Sequence, residues 1–173
     1  MILVDDCSTD GSNKICDKFK KKDNGVKVIH KKNGGPSECR NVGEKIATGK
    51  HIGFIDKYDY LNENMYKILY ETINNYDADI AQIGHFIVSD NKIIDRVYAN
   101  GNYEFLEENM VVKSNIEDEL INSFTCNKLY RKELFDEFEF INYSYHENLA
   151  SMCILLSKSK KVYMYNTPLY YYV

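Results

Sequence analysis

Paired carboxylates follow the first apolar segment of the chain, in the sequence Val4-Asp5-Asp6-Cys7-Ser8-Thr9-Asp10-Gly11-Ser12. Carboxylates at the end of a strand can accept hydrogen bonds from the base and ribose of a nucleotide. The alternative is a capped turn, because Ser8, Thr9 and Asp10 are all good N-cap residues. Taken alone, this segment favours the capped turn.

A glycine pair precedes a predicted helix in the second segment, Lys31-Lys32-Asn33-Gly34-Gly35-Pro36-Ser37-Glu38-Cys39-Arg40-Asn41-Val42-Gly43. Gly34 and Gly35 could let a nucleotide or its diphosphate approach the backbone, and Arg40 lies about one turn into the helix. The alternative is an ordinary loop followed by a solvated arginine, so the glycines alone are a weak indication.

Carboxylates also follow a later apolar segment, in Phe54-Ile55-Asp56-Lys57-Tyr58-Asp59-Tyr60-Leu61. Carboxylate oxygens are the ligands that hard cations such as Mg²⁺ and Mn²⁺ prefer. Such a cation could bridge a diphosphate and offset charge on a leaving group. An Asp-rich turn before a helix is the alternative.

Strands and helices alternate through the first half of the chain. Apolar runs predict strands over residues 2–4, 26–29, 52–55 and 79–88, and apolar side chains at helical spacing predict helices between them. This alternation favours parallel strands with crossover helices, in which ligands bind beyond the carboxyl ends of the strands. Asp5, Asp6 and Asp56 stand at such ends, which predicts a site there.

The second half of the chain is less regular. Its patterns predict helices around 104–113, 132–135 and 147–157, then short strands over 162–165 and 169–172. No repeat or Pro/Gly-rich linker marks a domain boundary, so 173 residues favour one domain.

Composition excludes several classes of protein. A net charge of −4 argues against a nucleic-acid partner, because phosphate contacts need a basic surface. No apolar run approaches the ~20 residues that span a bilayer, and the opening residues do not form a signal peptide. The five cysteines share no C-x-x-C spacing, which favours reduced thiols over zinc or disulfides.

Taken together, the three segments resemble the bacterial family 2 glycosyltransferases of the GT-A fold. Members of that family read Val-Asp-Asp-Gly-Ser-Thr-Asp-Gly-Ser, then Asn-Gly-Gly-Leu-Ser-x-Ala-Arg-Asn-x-Gly, then Phe-x-Asp-Ser-Asp-Asp. The C-terminal stretches 127–135 and 168–172 match as well. The resemblance implies an α/β, GT-A-like, mostly parallel Rossmann-type sheet flanked by helices. It implies a single glycosyltransferase domain over 1–173, with a nucleotide-sugar-binding half (1–88) and an acceptor-side half (89–173).

The resemblance also implies a reaction, namely transfer of a sugar from a nucleotide diphosphate donor, a UDP-sugar, to a hydroxyl of a polysaccharide or glycan, with inversion. It places Asp5, Asp6 and Ser8 at the base and ribose, Arg40 at the nucleotide, and Asp56 near ribose and metal. The expected compartment is the cytoplasm, at the inner face of the membrane.

Catalysis in the family uses an acidic pair before a late helix, which corresponds here to Tyr145-His146-Glu147-Asn148. Asn148 stands where the general base is expected, and an amide cannot accept the acceptor proton. Glu147 and His146 are therefore the expected catalytic residues.

The family's cation is Mg²⁺ or Mn²⁺, and the resemblance implies Asp56 and Asp59 as its ligands here. Tyr58 stands where the second carboxylate of the D-x-D signature belongs. A tyrosine with a pKa of about 10 is a poor ligand for a hard cation at neutral pH, which predicts a weakened metal site.

Family members begin with an apolar strand that ends in Pro-x-Tyr-Asn, and this chain has its first strand at the position of their second. A truncated sheet of this kind would leave an open edge beside 2–4. We therefore expect either a homodimer or a partner chain that supplies the missing strand.

Two other classes of function remain as alternatives. A degenerate, non-catalytic module that binds nucleotide or assists a partner would be consistent with Tyr58 and Asn148. A Rossmann oxidoreductase would share the alternating pattern, but no G-x-G-x-x-G follows the first strand.

Overall fold

The computed structural model describes residues 1–97, 103–107, 112–113, 115–116, 121–142 and 147–173, with the backbone alone for 103–107 and 147. The strands are β1 (Ile2–Asp6), β2 (Lys27–Lys31), β3 (His51–Ile52), β4 (Tyr60–Leu61), β5 (Ile80–Ser89), β6 (Lys92–Val97), β7 (Tyr103–Glu107), β8 (Lys128–Arg131) and β9 (Lys161–Tyr172). The helices are α1 (Ser12–Lys22), α2 (Gly35–Lys45), α3 (Met65–Tyr76) and α4 (Glu147–Lys158), with a 3-10 helix at Lys132–Phe135. The chain folds as two compact units. Unit 1 comprises Met1–Gly49 and Glu137–Glu147, and unit 2 comprises Lys50–Asp136 and Asn148–Val173.

Unit 1 contains a two-stranded parallel sheet in which β1 pairs with β2, from Ile2 opposite Lys27 to Asp6 opposite Lys31. This register brings the polar residues at the ends of both strands side by side. Helix α1 begins after Gly11, whose φ of 92° is the left-handed conformation that glycine adopts without strain. Helix α2 begins at Gly35-Pro36, and proline suits a first turn because its missing N–H has no partner there.

The segment 137–142 belongs to unit 1, where it packs on α2. The Asn41 side chain donates to the Phe140 carbonyl at 3.0 Å and accepts from the Phe140 N–H at 2.7 Å. The buried Ser37 hydroxyl donates to the Ile141 carbonyl at 3.0 Å. These bonds satisfy the backbone of a segment without regular secondary structure.

Unit 2 contains a seven-stranded sheet with the order β3-β8-β5-β9-β4, in which β6 also pairs with β5 and β7 with β9. Helix α3 covers it with Met65, Leu69 and Ile73, whose i,i+4 spacing places them on one face. These side chains pack against apolar residues of the sheet, among them Ala81, Ile83, Leu129 and Tyr170.

The α/β class is confirmed, but the expectation of a mostly parallel sheet is wrong. Only the β1–β2 and β5–β9 pairs are parallel among the described strands. The pairs β3–β8, β4–β9, β5–β6, β5–β8 and β7–β9 are antiparallel. Strand β8 comes from the second half of the chain and pairs beside β5, so the strand order does not follow consecutive crossovers.

Several predicted elements differ from those observed. Residues 104–107, predicted as the start of a helix, form most of β7 because they pair with β9; residues 108–111 of that predicted helix lie outside the described residues. The strand predicted over 52–55 is only β3, His51–Ile52. The two strands predicted over 162–172 form the single strand β9, whose register with β5 shifts on both sides of Gly84. The division at residue 88 stays a prediction, and the two compact units divide the chain elsewhere.

Within the described parts of the chain, no helix combines the length and the apolar character needed to cross a bilayer.

Candidate functional site

The Asp5 carboxylate is buried at the end of β1 and is held by residues of its own unit. Its Oδ1 accepts a hydrogen bond from the Ser8 N–H at 3.2 Å, and its Oδ2 lies 2.9 Å from His30 Nδ1. Hydrogen bonds from Ser8, then from His30, lower the pKa of Asp5. Asp5 is therefore ionised at neutral pH, and Ser8 lies next to it.

His30 joins β2 to two other elements, a role that the sequence did not indicate. Its Nδ1 faces Asp5 and its Nε2 lies 3.1 Å from Oδ1 of Asp17 on α1. The hydrogen bond to Asp5, then the one to Asp17, raises the pKa of His30. The ring is thus favoured in its protonated form, in which both nitrogens donate.

The Asp6 carboxylate organises the glycine loop before α2. Oδ1 accepts from Lys31 Nζ at 2.7 Å and from the Gly34 N–H at 2.9 Å, and Oδ2 accepts from the Gly35 N–H at 2.8 Å. The Lys31 bond is the main cause of the lowered pKa of Asp6. The glycine amides that were expected to meet a nucleotide therefore bind a carboxylate of the same unit.

One of the two glycines is required by the conformation of this loop. Gly35 has a φ of 85°, in the left-handed region that disfavours side chains. A Cβ on Gly34 would meet the ends of the Glu38 and Lys31 side chains, which are flexible and can move away. The backbone therefore explains Gly35 but not Gly34.

Arg40 lies in α2, where it is mostly buried. Its guanidinium carbon lies 5.8 Å from the centroid of the Phe140 ring, within the range of a cation–π contact. Asp5, Asp6, Ser8 and Arg40 all belong to unit 1, and their assignment to nucleotide binding stays a prediction.

Unit 2 holds a second group of carboxylates after β3. Ligand atoms of Asp56, Asp59 and Cys126 all lie within 4.8 Å of one another, and we call these three residues the acidic cluster. Asp56 and Asp59 are half-buried, whereas Cys126 is 1% exposed. The structure therefore brings together the two residues that the sequence predicts as metal ligands, and it adds a thiol.

Tyr170 anchors the acidic cluster from β9. Its hydroxyl donates to Asp59 Oδ2 at 2.6 Å and accepts from the Asp56 N–H at 3.3 Å. The Val173 N–H donates to Asp59 Oδ1 at 3.0 Å. Burial raises the pKa of Asp59 against the opposing effect of these bonds. Burial, and then the charge of Asp56, raises the pKa of the Cys126 thiol to about 11.

Tyr58, at the second D-x-D position, does not belong to the acidic cluster. Its side chain is 70% exposed, and the Lys57 ammonium lies 4.4 Å from its ring centroid. The Asp59 N–H donates to the Asp56 carbonyl at 3.2 Å, which closes a turn. Asp56 and Asp59 are the two ends of this turn, which brings them close together.

The predicted catalytic residues fall at the edge of what the structure describes. His146 lies outside the described residues, and Glu147 is the first residue of α4, with only its backbone described. Their role as general base stays a prediction.

The sequence indicated neither Cys126 nor His30. No C-x-x-C spacing includes Cys126, and it lies 67 positions after Asp59 in the sequence. A histidine on a predicted strand carries no signal of its own. Only the pairing of β1 with β2, which places His30 opposite Asp5, shows its partner.

The fold is GT-A-like, as its similarity to solved structures of TarS shows. The family model described as glycosyl transferase family 2 matches residues 1–138. The chain belongs to this family, as its motifs predicted.

Known relatives are glycosyltransferases. The chain is similar to the glycosyltransferase GlyG of Streptococcus pneumoniae, 33% identical over 181 aligned positions that cover 99% of this chain and 60% of GlyG. It is also similar to EpsJ of Bacillus subtilis, an uncharacterized glycosyltransferase, 34% identical over 144 positions that cover 79% of this chain and 40% of EpsJ. The chain thus spans less than two thirds of either relative.

Among solved structures, TarS of S. aureus (residues 1–349, in complex with UDP) has a similar fold. The TM-score is 0.79 at 24% identity, covering 98% of this chain and 49% of that one. A TarS structure in complex with UDP-GlcNAc gives the same TM-score at 23% identity.

Proposed function

We propose that this protein binds a nucleotide diphosphate sugar, with UDP as the nucleotide, and transfers the sugar to a hydroxyl of a glycan or polysaccharide with inversion. The observation that carries the proposal is the acidic cluster, in which Asp56 and Asp59 converge after β3 in a chain of glycosyl transferase family 2. The UDP and UDP-GlcNAc complexes of TarS support the choice of nucleotide, because TarS has a similar fold.

The donor set of the acidic cluster fits a divalent cation. Two half-buried carboxylates supply the oxygen ligands that Mg²⁺ and Mn²⁺ prefer. Tyr170 donates a hydrogen bond to Oδ2 of Asp59, and the Val173 N–H donates one to Oδ1. A carboxylate has about four lone-pair sites, so a cation can bind Asp59 without breaking these bonds. When bound, the cation would neutralise charge that develops on the diphosphate leaving group.

Residues of unit 1 are proposed to recognise the nucleotide. Asp6 accepts hydrogen bonds from Lys31 and from the Gly34 and Gly35 N–H groups, so a ribose hydroxyl or a base N–H would have to share its oxygens with them or displace one of them. Asp5 and Ser8 would act at the base and ribose, and Arg40 at the nucleotide.

Glu147, or His146 beside it, is the proposed base that accepts the proton of the attacking hydroxyl. A carboxylate and an imidazole are both groups that can accept a proton from a hydroxyl. Direct attack on the anomeric carbon opposite the leaving group would give inversion.

Calorimetric titration of this chain with UDP, with and without Mn²⁺, tests the binding step. We expect Mn²⁺ to raise the UDP affinity at least ~10-fold, equivalent to ~1.4 kcal/mol. Asp56→Asn should abolish this gain. Asp90→Asn, the same change in the exposed turn between β5 and β6, should retain it. Absence of UDP binding at millimolar concentration, with or without Mn²⁺, contradicts the proposal.

Release of UDP from UDP-GlcNAc, with glycan oligosaccharides as acceptors, tests the transfer step. We expect release by the unmodified chain and loss of release in Glu147→Gln or His146→Gln. Binding of UDP without release by the unmodified chain would instead favour the non-catalytic nucleotide-binding module.

The predicted homodimer would form through β1, not through the residues of the acidic cluster. Strand β1 pairs with β2 along one edge. Light scattering over a dilution series tests for a homodimer, and a monomer at every concentration would contradict it.

A further inference from the structure

The thiol of Cys126 lies among the oxygen ligands of the acidic cluster. Its Sγ and the carboxylate oxygens of Asp56 and Asp59 are mutually within 4.8 Å. Neighbouring donors bound to one small cation at ~2.0–2.3 Å are roughly 2.8–3.8 Å apart in octahedral or tetrahedral geometry. Modest side-chain movement would therefore place all three atoms on one ion.

We propose that Cys126 is the third protein ligand of this cation site, and that its sulfur gives the site a preference for thiophilic divalent ions of the zinc class over Mg²⁺. This inference takes the location of the cation from the proposed function and nothing else. Thiolate ligands select Zn²⁺ and similar ions, whereas an all-oxygen site suits Mg²⁺, Ca²⁺ and Mn²⁺.

The backbone around Cys126 is held in place by its successor in the chain. Asn127 is fully buried and has a φ of 58°, a left-handed conformation that asparagine tolerates better than most residues. Its Nδ2 donates to the Ile83 carbonyl at 2.8 Å, and the Ile83 N–H donates to the Asn127 carbonyl at 3.0 Å. These two bonds to β5 fix the turn that carries Cys126 before β8 begins.

The exposure of the three residues indicates how a cation would reach the acidic cluster. Cys126 is 1% exposed, but Asp56 and Asp59 are half-buried. An ion would therefore enter on the carboxylate side and meet the sulfur at the inner end of the cluster. Binding would exchange the S–H bond for a metal–sulfur bond and release the thiol proton to solvent.

The competing explanation is that Cys126 is only a small apolar core residue. It does pack in the core cluster with Leu129 and Tyr170, and most buried free cysteines are inert. The two explanations differ in one observable, the formation of a metal–sulfur bond.

Titration with Co²⁺, followed by its sulfur-to-metal charge-transfer absorption in the near ultraviolet, detects that bond without any substrate. The measurement is made in a Cys7→Ser background, which removes an exposed thiol. We expect a band that saturates at one equivalent, persists in Cys153→Ser and is absent in Cys126→Ser. Zn²⁺ should displace Co²⁺ from the chain with Cys126 at a concentration at least ~100-fold below that of Mg²⁺. Calorimetric titration of Cys126→Ser with Zn²⁺ and Mg²⁺, which needs no band, should show that this preference is at least ~10-fold smaller.

A second variant keeps the test decisive if Cys126→Ser does not fold. Asp56→Asn retains the thiol, and its band should need at least ~10-fold more Co²⁺ to reach half-saturation. The proposal would be overturned by a band that keeps the unmodified affinity in Asp56→Asn. It would equally be overturned by a band that persists in folded Cys126→Ser, or by the absence of a band in a chain that binds Mn²⁺. The Co²⁺ band and UDP calorimetry are independent readouts, so loss of one without the other shows which of the two proposals has failed.

Discussion

The Tyr170 hydroxyl donates a 2.6 Å hydrogen bond to Oδ2 of Asp59, from a side chain that is fully buried. The same hydroxyl interacts with the Cys126 thiol. One tyrosine of β9 therefore orients members of the acidic cluster that come from distant parts of the sequence.

Tyr170→Phe should lower the free energy of unfolding by about 1–3 kcal/mol, because it removes a donor from a partly buried carboxylate. It should also raise the pKa of Asp59 further, since the Tyr170 bond favours the ionised form. Urea denaturation and carboxyl NMR titration measure the two effects. Tyr172→Phe, on the same strand and more exposed, should change stability by less than ~0.5 kcal/mol. Equal effects of the two substitutions would contradict this role of the hydroxyl.

Asp6→Asn should loosen the glycine loop of unit 1. The amide retains one acceptor oxygen, so either the Gly34 or the Gly35 N–H loses its partner, and Lys31 keeps only Glu38 as a counter-charge. We expect these amides to exchange hydrogen at least ~10-fold faster, as loss of ~1.4 kcal/mol of local stability predicts. Asp23→Asn is the matched control, because its amide oxygen can still accept from the Gly25 N–H. Unchanged exchange at Gly34 and Gly35 in Asp6→Asn would show that the carboxylate is not needed there.

The pKa shift of His30 should be opposite in sign to those of His51 and His85, the other described histidines. The pKa of His30 is raised above 6.5 by Asp5 and Asp17, whereas burial lowers the pKa of His51 and brings that of His85 to about 4. The raised pKa of His30 gives stability that is fully present below pH 6.5 and lost as pH rises through the folded value. The lowered pKa of Asp5 gives stability that is present above pH 3.8 and lost as pH falls through its folded value.

NMR titration of the histidine rings checks these directions, and His30→Gln should flatten the decline in stability above pH 6.5. A His30 midpoint at or below 6.5 would contradict the bridge between Asp5 and Asp17. His51→Gln serves as a control, because it should leave the decline above pH 6.5 unchanged.

Lys128→Met should destabilise the protein by about 2–4 kcal/mol. The Lys128 ammonium is fully buried and donates to the backbone carbonyls of Asn122 and Phe124 at 3.1 and 2.6 Å, and to Asn122 Oδ1 at 2.6 Å. Methionine fills a similar volume but leaves these acceptors without a donor, which is the costly outcome for buried polar groups. Thermal unfolding measures the loss. Lys67→Met, on the exposed face of α3, should stay within about 0.5 kcal/mol of the unmodified protein. A stable Lys128→Met variant would mean that the ammonium is dispensable.

Elements that depend on local sequence were predictable. Met65, Leu69 and Ile73 indicated α3 through their spacing, and Ile2-Leu3-Val4 indicated β1 through their apolar character. Strand pairing was not predictable, because antiparallel partners such as β5 and β8 lie some 40 residues apart and local periodicity carries no register. Residues 104–107 show the same limit, since their pairing with β9 overrides a helical pattern.

The residues of the candidate site also differ in how far the sequence could predict them. Asp56 and Asp59 were identified because both lie in one short motif that follows a strand. The sequence did not indicate Cys126, because the position of this residue depends on the backbone conformation of Asn127 and on the bonds between Asn127 and Ile83. Asp6 was predicted as a ligand-binding group, but its hydrogen bonds to Gly34 and Gly35 depend on how the loop folds back onto β1.

The bonds between Asn41 and Phe140 join positions 99 residues apart within unit 1. Unit 1 is therefore encoded by two separate stretches of the gene, and a single recombination crossover near Gly49 would inherit α2 without the segment that packs on it. The Arg40 guanidinium would keep an aromatic partner only if the relative also has an aromatic residue at position 140. The Asn41 bonds go to backbone atoms, so they would depend on whether the new segment adopts the same conformation. Chimeras between this chain and its relatives should therefore be more stable when residues 1–49 and 137–142 are exchanged together.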